Sequence, residues 1–189
     1  GFTVSLEASN ICGSSFHTET VTVITPPVPN FSAIQTTGCA PLTVSFVDLS
    51  SSNTVTWNWS FPGGTPSTST DPTPLVTYQN AGSYDVTLEV SNPAGSNVFT
   101  ELDFIQVFDS ATAGFTFDIT GNTVDFTNTS TSAETYICDY GDGSTSTDTN
   151  SVYTYATDGT YIVSLTAVGF CDTITFMATL SISTLPSAG

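Results

Sequence analysis

The sequence contains neither lysine nor arginine, and only one histidine and one methionine. Seventeen Asp and Glu residues leave a formal net charge of -17 with no cationic side chain to pair them. Nucleic acid is excluded as a partner, because phosphate contacts need Lys or Arg. An anionic membrane surface is excluded on the same ground. The fold must rest on burial and hydrogen bonding, and self-repulsion opposes non-specific association. No apolar run approaches the ~20 residues that span a bilayer, and no basic region opens a secretory leader.

Charged residues make up only 9% of the chain, but aromatic residues make up 12% and hydrophobic residues 39%. An aromatic content of that size argues against disorder. Solubility falls to Ser, Thr and Asn instead, and β-branched Thr suits the outer face of a pleated sheet. No helical periodicity stands out. Short alternating segments are separated by Gly, Pro, Asn, Asp and Ser clusters, which is an all-β pattern with one buried face per strand. Val44 and Phe46 form one inward row, with Asp48 at its end. Val55, Trp57, Trp59 and Phe61 are expected on one face, and Tyr84, Val86, Leu88 and Val90 on another. Further along, the matching rows are Val124 and Phe126; Tyr136, Cys138 and Tyr140; and Tyr161, Val163, Leu165 and Ala167.

The chain also repeats itself. The stretch from Gly82 to Asn92 recurs from Gly159 to Ala167 and again from Gly1 to Asn10. A strand signature repeated at intervals marks an array of similar modules. The Pro-rich stretch Thr25 to Pro29 reads as a stiff link, and a second boundary falls near Phe108 to Thr112. The expected pieces are residues 1–25, 26–108 and 109–185, with 186–189 as the start of a further module or a tail. The middle two pieces, at roughly 80 residues each, suit small β-sandwiches. The first holds only two strands, and a lone hairpin is marginal in water. We therefore expect a fragment of a longer array, the alternative being a first hairpin completed by another chain.

Cys138-Asp-Tyr-Gly-Asp-Gly143, then Tyr153-Thr-Tyr155, then Gly159-Thr-Tyr161-Ile-Val163-Ser-Leu165 resembles the PKD (polycystic-kidney-disease) domain. Trp59-Ser-Phe-Pro-Gly-Gly64, Val76-Thr-Tyr78 and Gly82-Ser-Tyr84-Asp-Val86-Thr-Leu88 carry the same order of motifs. Gly38-Cys-Ala-Pro-Leu-Thr-Val44 is similar to the second-strand entry of bacterial members. Pro62 and Gly63 depart from the family's Gly-Asp turn, Cys138 stands where the family places a core Trp, and Val76 and Tyr153 replace its usual His. The resemblance implies tandem immunoglobulin-like sandwiches and an extracellular location. It further implies a non-catalytic array module: a stalk, spacer or filament subunit on a bacterial surface. The alternative it leaves is an accessory spacer, binding a polymer, in a secreted hydrolase. The expected partners are adjacent modules or copies of the chain, or surface glycans and proteins.

Catalytic chemistry has little to work with. His17 is the single imidazole and lies in the two-stranded piece, so no Ser-His-Asp or Cys-His set forms within a module. Asp139 and Asp142 sit on one corner, where a turn Asp caps its own backbone. No catalytic residue, cofactor or enzymatic activity is expected. Calcium takes six to eight oxygens from acidic loops; Asp139, Asp142, Asp148 and Asp158 are weak candidates that match no EF-hand. Four cysteines allow three full connectivities. In a sandwich of the implied topology, Cys39 opens the second strand and Cys171 aligns with Cys12 at the last turn. Cys39 and Cys171 are thus candidates for a bridge between modules, with Cys12 pairing upstream and Cys138 a buried thiol; Cys138–Cys171 is the rival. Asn30, Asn58 and Asn128 fit the Asn-linked sequon. Ser110 and Thr173 follow an Asp and precede an apolar residue, a candidate O-glycosylation pattern. Trp57 and Trp59 invite a sugar-stacking reading, against which their alignment with Val55 and Phe61 favours core packing.

Overall fold

Alternating burial explains the elements. In the computed structural model, which describes residues 1–183, every regular element is a strand. β1 (Phe2–Asn10) and β2 (Gly13–Val21) form an isolated antiparallel hairpin. There follow β3 (Phe31–Ala33), β4 (Thr37–Cys39), β5 (Leu42–Asp48), β6 (Thr56–Ser60), β7 (Gly64–Thr65), β8 (Thr68–Ser69), β9 (Leu75–Tyr78), β10 (Gly82–Asn92) and β11 (Gly95–Phe108). These lie in two sheets, of order β3-β5-β9-β7 and β4-β11-β10-β6-β8. The last group is β12 (Phe115–Thr120), β13 (Thr123–Asn128), β14 (Thr135–Asp139), β15 (Thr145–Ser146), β16 (Ser151–Thr154), β17 (Gly159–Val168) and β18 (Thr173–Ile182). Its sheets run β12-β13-β16 and β15-β14-β17-β18. The residues proposed as a further module or tail, 186–189, lie outside the described residues.

The fold class is all-β, in tandem sandwiches. By backbone proximity the chain divides into two compact units. The first comprises Gly1–Ile34, Val44–Val76 and Asp85–Phe104; the second comprises Gln35–Thr43, Thr77–Tyr84 and Ile105–Gly189.

In the first unit, Phe46 packs on Trp59 and Phe61 at ring separations of 5.9 and 4.7 Å. Phe31 meets Trp59 edge-on at 5.4 Å and Phe104 at 5.3 Å. Such aromatic pairs add about 0.5–1.5 kcal/mol each beyond the area they bury. Val44, Phe46, Trp59, Phe61, Val86, Leu88 and Val90 are all buried, as alternation predicts. The expected row through Val55, Trp57, Trp59 and Phe61 holds in part, since Trp57 keeps its place between exposed Thr56 and Asn58 while Val55 drops out. Val55 precedes the strand and is exposed, while Trp57 is half-buried and donates its indole N–H to Asp48 Oδ2 at 2.7 Å. Trp57 lies one residue into the strand, at the margin of the core, whereas Trp59 two residues on is fully buried with its own indole N–H donating to Asp71 O at 2.8 Å. The Pro-rich link is held by side-chain amides: Asn53 and Asn92 donate to Thr25 O, and Asn97 donates to Pro27 O, each at 2.8 Å.

In the second unit, the core gathers Phe115, Val124, Phe126, Cys138, Tyr140, Tyr155, Val163, Leu165, Leu180 and Ile182. Polar tips are matched within it: Tyr155 donates to Tyr140 O at 2.9 Å. Tyr161 donates back to Thr157 O, and Tyr84 to Asn80 O, four residues upstream in each case. This is the tyrosine corner of immunoglobulin-like sandwiches, formed twice.

Candidate functional site

The residues with most chemistry between them surround the link from β11 to β12, and all lie in the second compact unit. β4 runs parallel to the end of β11, pairing Thr37, Gly38 and Cys39 with Gln106, Val107 and Phe108. Gly38 lets the strand pack closely there: a Cβ would stand 2.5 Å from Leu42 Cδ1 and 2.7 Å from Gln35 Nε2, and those side-chain ends would have to move. Ala40 N–H continues the ladder to Phe108 O at 2.8 Å. Cys39 is thereby held beside the start of the link.

From the β17–β18 turn, Cys171 meets Cys39 in a disulfide, with Cα atoms 5.7 Å apart, inside the reach such bonds allow. The neighbouring Phe170 ring stacks on Phe108 at 4.4 Å. Asp172 Oδ1 accepts the Ala111 N–H at 2.8 Å, and its carbonyl accepts Gly169 N–H at 2.9 Å. Ala111 is buried, and Gly169 has no room for a side chain, since a Cβ would lie 2.5 Å from Ser132 O. Thr112 and Thr131 then exchange backbone hydrogen bonds in an isolated bridge. One covalent bond, one aromatic stack and a run of hydrogen bonds thus clamp residues 108–112. An open recess of about 340 Å³ beside the stack is lined by Val107, Phe108, Ala133, Glu134 and Phe170 among others.

The remaining cysteines are free: Cys12 is exposed and Cys138 is buried in the core. Burial, with Asp139 adding, pushes the Cys138 thiol up to about 11, so it stays protonated and behaves as a small apolar side chain. The structure therefore brings together Cys39 and Cys171, and not Cys138 and Cys171.

The candidate calcium ligands are not brought together. Asp139 Oδ1 accepts Gly141 N–H, and Asp142 Oδ1 accepts Ser144 N–H, both closing Asx turns. Asp142 Oδ2 accepts the Tyr153 hydroxyl at 2.7 Å, which holds this carboxyl below its ordinary range. Asp148 accepts the Ser146 hydroxyl, and Asp158 is exposed in the loop before β17. Among the described residues no three acidic, His or Cys side chains converge as a metal set. His17 is exposed on β2, 3.4 Å from Glu19 Oε1. Ser110 is exposed in the clamped link, and Thr173 is exposed at the head of β18. Asn30 and Asn58 are exposed; Asn128 is half-buried, with its Oδ1 accepting Ser130 N–H.

Sequence reasoning missed the roles of Asp172 and the Phe108–Phe170 stack. It also missed the tyrosine corners, although the Tyr of each Gly-x-Tyr motif was a usable signal.

Architecture and site together define a tandem array of immunoglobulin-like sandwiches whose distinctive chemistry is a covalent clamp. Two family models, each described as PKD domain, match residues 30–100 and 109–182. The chain belongs to the PKD domain family, in tandem copies. Solved bacterial domains are similar to parts of it. The PKD1 domain of Vibrio anguillarum Epp is 27% identical, with 40% of this chain and 96% of that one covered and a TM-score of 0.38. The PKD1 domain from the Vibrio cholerae metalloprotease PrtV is 31% identical, with 38% and 95% covered and a TM-score of 0.36. The ectodomain of mouse nectin-like molecule 4, spanning Ig1–Ig3, is 15% identical, with 93% and 71% covered and a TM-score of 0.51, which speaks to fold alone. No curated protein matches the chain. Domains of this family are in general non-catalytic modules and occur in extracellular bacterial proteins. Among the described residues no helix is long and apolar enough to cross a membrane.

Proposed function

We propose that this chain is a non-catalytic structural stretch of an extracellular array: a stalk, spacer or filament subunit on a bacterial surface, whose partners are neighbouring modules. The observation that carries this reading is the Cys39–Cys171 disulfide across 132 residues. A crosslink over so long a loop removes denatured-state entropy on the order of 4–5 kcal/mol in the chain-entropy account. It also holds the β11–β12 link, the segment that a flexible tether would leave loose. Both are properties of a strut, and disulfides persist in the oxidising space outside the cell. An uncompensated acidic surface supports the same reading by keeping a crowded coat from clumping. The reading needs no cofactor or metal.

Electron microscopy of intact cells, with gold-labelled antibody against the chain, tests it. Label along threads or a surface fringe is expected. Label absent from the cell surface and co-purifying with a secreted hydrolase overturns the strut and favours the accessory-spacer alternative.

A further inference from the structure

The isolated hairpin and the last hairpin are built on one plan. Shifting β1–β2 by 159 positions superimposes its register on that of β17–β18. Phe2↔Val21 falls on Tyr161↔Leu180, Val4↔Glu19 on Val163↔Ala178, and Leu6↔His17 on Leu165↔Phe176. The same shift carries Cys12 onto Cys171 and Ile11 onto Phe170, with no gap. In β17 the inward residues Val163, Leu165 and Ala167 are buried under the facing sheet. In β1 the matching Val4 and Leu6 are 55 and 68% exposed and Ala8 is exposed as well, as is Phe2, the counterpart of Tyr161. Of the polar residues of β2, His17 takes the place of Phe176, which is 41% exposed within a finished sandwich, and Glu19 that of Ala178, which is only partly buried at the margin of the core. Cys12 is an exposed thiol where Cys171 is a bonded one.

We infer that β1–β2 is the closing hairpin of a third PKD-type sandwich. The uncovered face of β1 receives the remaining strands of that sandwich from the same array. Cys12 forms a second clamp, with a cysteine placed like Cys39 in the module before it. The partner is thus an aromatic-lined three-stranded sheet over the face of β1, a strand pair placed like β14–β15 on its open edge, and one thiol. The bond forms by thiol–disulfide exchange: the Cys12 thiolate attacks glutathione disulfide and releases one glutathione thiolate, and the partner thiolate then attacks the Cys12 sulfur of the mixed disulfide and displaces the second. Two protein thiols and one glutathione disulfide give one protein disulfide and two glutathione thiols. This inference rests on the array reading above and names its next contact.

The experiment lengthens the whole chain at its N-terminus with a copy of residues 26–159, so that β1–β2 follows where β17–β18 otherwise would. Oxidation uses glutathione disulfide, and peptides are cut with pepsin because trypsin has no site. In the unextended chain, Cys12 is expected to react with iodoacetamide at the rate of an open thiol. In the lengthened chain that rate should fall at least 100-fold, Cys12 should be recovered bonded to the copied Cys39, and the Val4 and Leu6 amides should exchange at least 100-fold more slowly. A second variant replaces residues 160–182 by a copy of 1–23, keeping every facing strand native. It should fold with the copied Cys12 bonded to Cys39. Unchanged alkylation and exchange in the lengthened chain, or a transplant that fails to fold or folds with both thiols free, overturns the inference. The Cys39–Cys171 bond of the unextended chain is the reference. Its absence would sink the array reading itself, whereas its presence together with a Cys12 that stays free in the lengthened chain sinks only this proposal.

Discussion

Equivalent tyrosines in the two sandwiches end differently. Tyr155 donates to Tyr140 O, whereas the hydroxyl of fully buried Tyr78 has no protein partner. Removing a hydroxyl that satisfies a buried carbonyl costs about 1–2 kcal/mol, but removing an unsatisfied one costs little or stabilises. Tyr155→Phe is therefore expected to destabilise by that amount, and Tyr78→Phe to lie within about 0.5 kcal/mol of wild type or above it, by urea denaturation. Burial, with Tyr84 adding, also pushes Tyr78 up to about 12, and Cys138 is raised to about 11. Both are neutral when protonated, so the unfolded chain gives up these protons at lower pH than the folded one. Their contribution is complete below the unfolded values, near 9 for Cys138 and 10 for Tyr78, and is lost as pH rises toward 11 and 12. Denaturation midpoints should be level up to about pH 9 and fall beyond it. In Cys138→Ala the fall should begin about one pH unit later.

At the scale of elements, strands were legible where alternation met a dry interior on one side, as in Leu42-Thr-Val44-Ser-Phe46 and Tyr161-Ile-Val163-Ser-Leu165. It ran out at Val55, which precedes the strand and is exposed, and it could not tell how deep Trp57 sits at the margin of the core. The clamp was half legible. The repeat aligned Cys171 with Cys12 and suggested Cys39 as a partner, but left Cys138 as a rival, because inward-facing position is a sequence property and distance is not. Asp172 carried no signal at all, since one acid among seventeen gains its role only when Ala111 N–H is set before it. Turn glycines were legible as turns, but not the reason each is obligatory. Gly141 has φ +82°, and an added Cβ would stand 2.5 Å from Ile162 O. Gly141→Ala should cost about 2–4 kcal/mol, from the left-handed backbone and the steric clash together. Gly143→Ala, at φ +96° with open space around it, should cost about 1 kcal/mol less than that, from the backbone alone. Thermal melts of the two variants side by side separate the two effects.

For the whole molecule, repulsion among carboxylates is the electrostatic theme. With neither lysine nor arginine in the chain, acid–base contacts are few, and His17 Nε2 to Glu19 Oε1 at 3.4 Å is an exposed one. Salt therefore has little attraction to weaken and much repulsion to screen over the ~10 Å Debye length at 0.1 M. Raising KCl from about 10 to 200 mM should raise the melting temperature by a few degrees. A fall would mean that attractive charge contacts dominate. Under tension, the crosslink described above has another effect. A pull applied at the two ends runs from Gly1 to Cys39, through sulfur, and out from Cys171, so that the segment between the cysteines is bypassed. With 132 positions of separation at ~3.5 Å each, about 460 Å of contour length stays hidden however hard the ends are drawn. Optical-tweezer extension of the oxidised chain should stop short by that length, and a reducing agent should release it in a single further lengthening. The stretch between the two cysteines would then be inextensible by covalent topology, and the supply of thiols around the chain would set how far it yields.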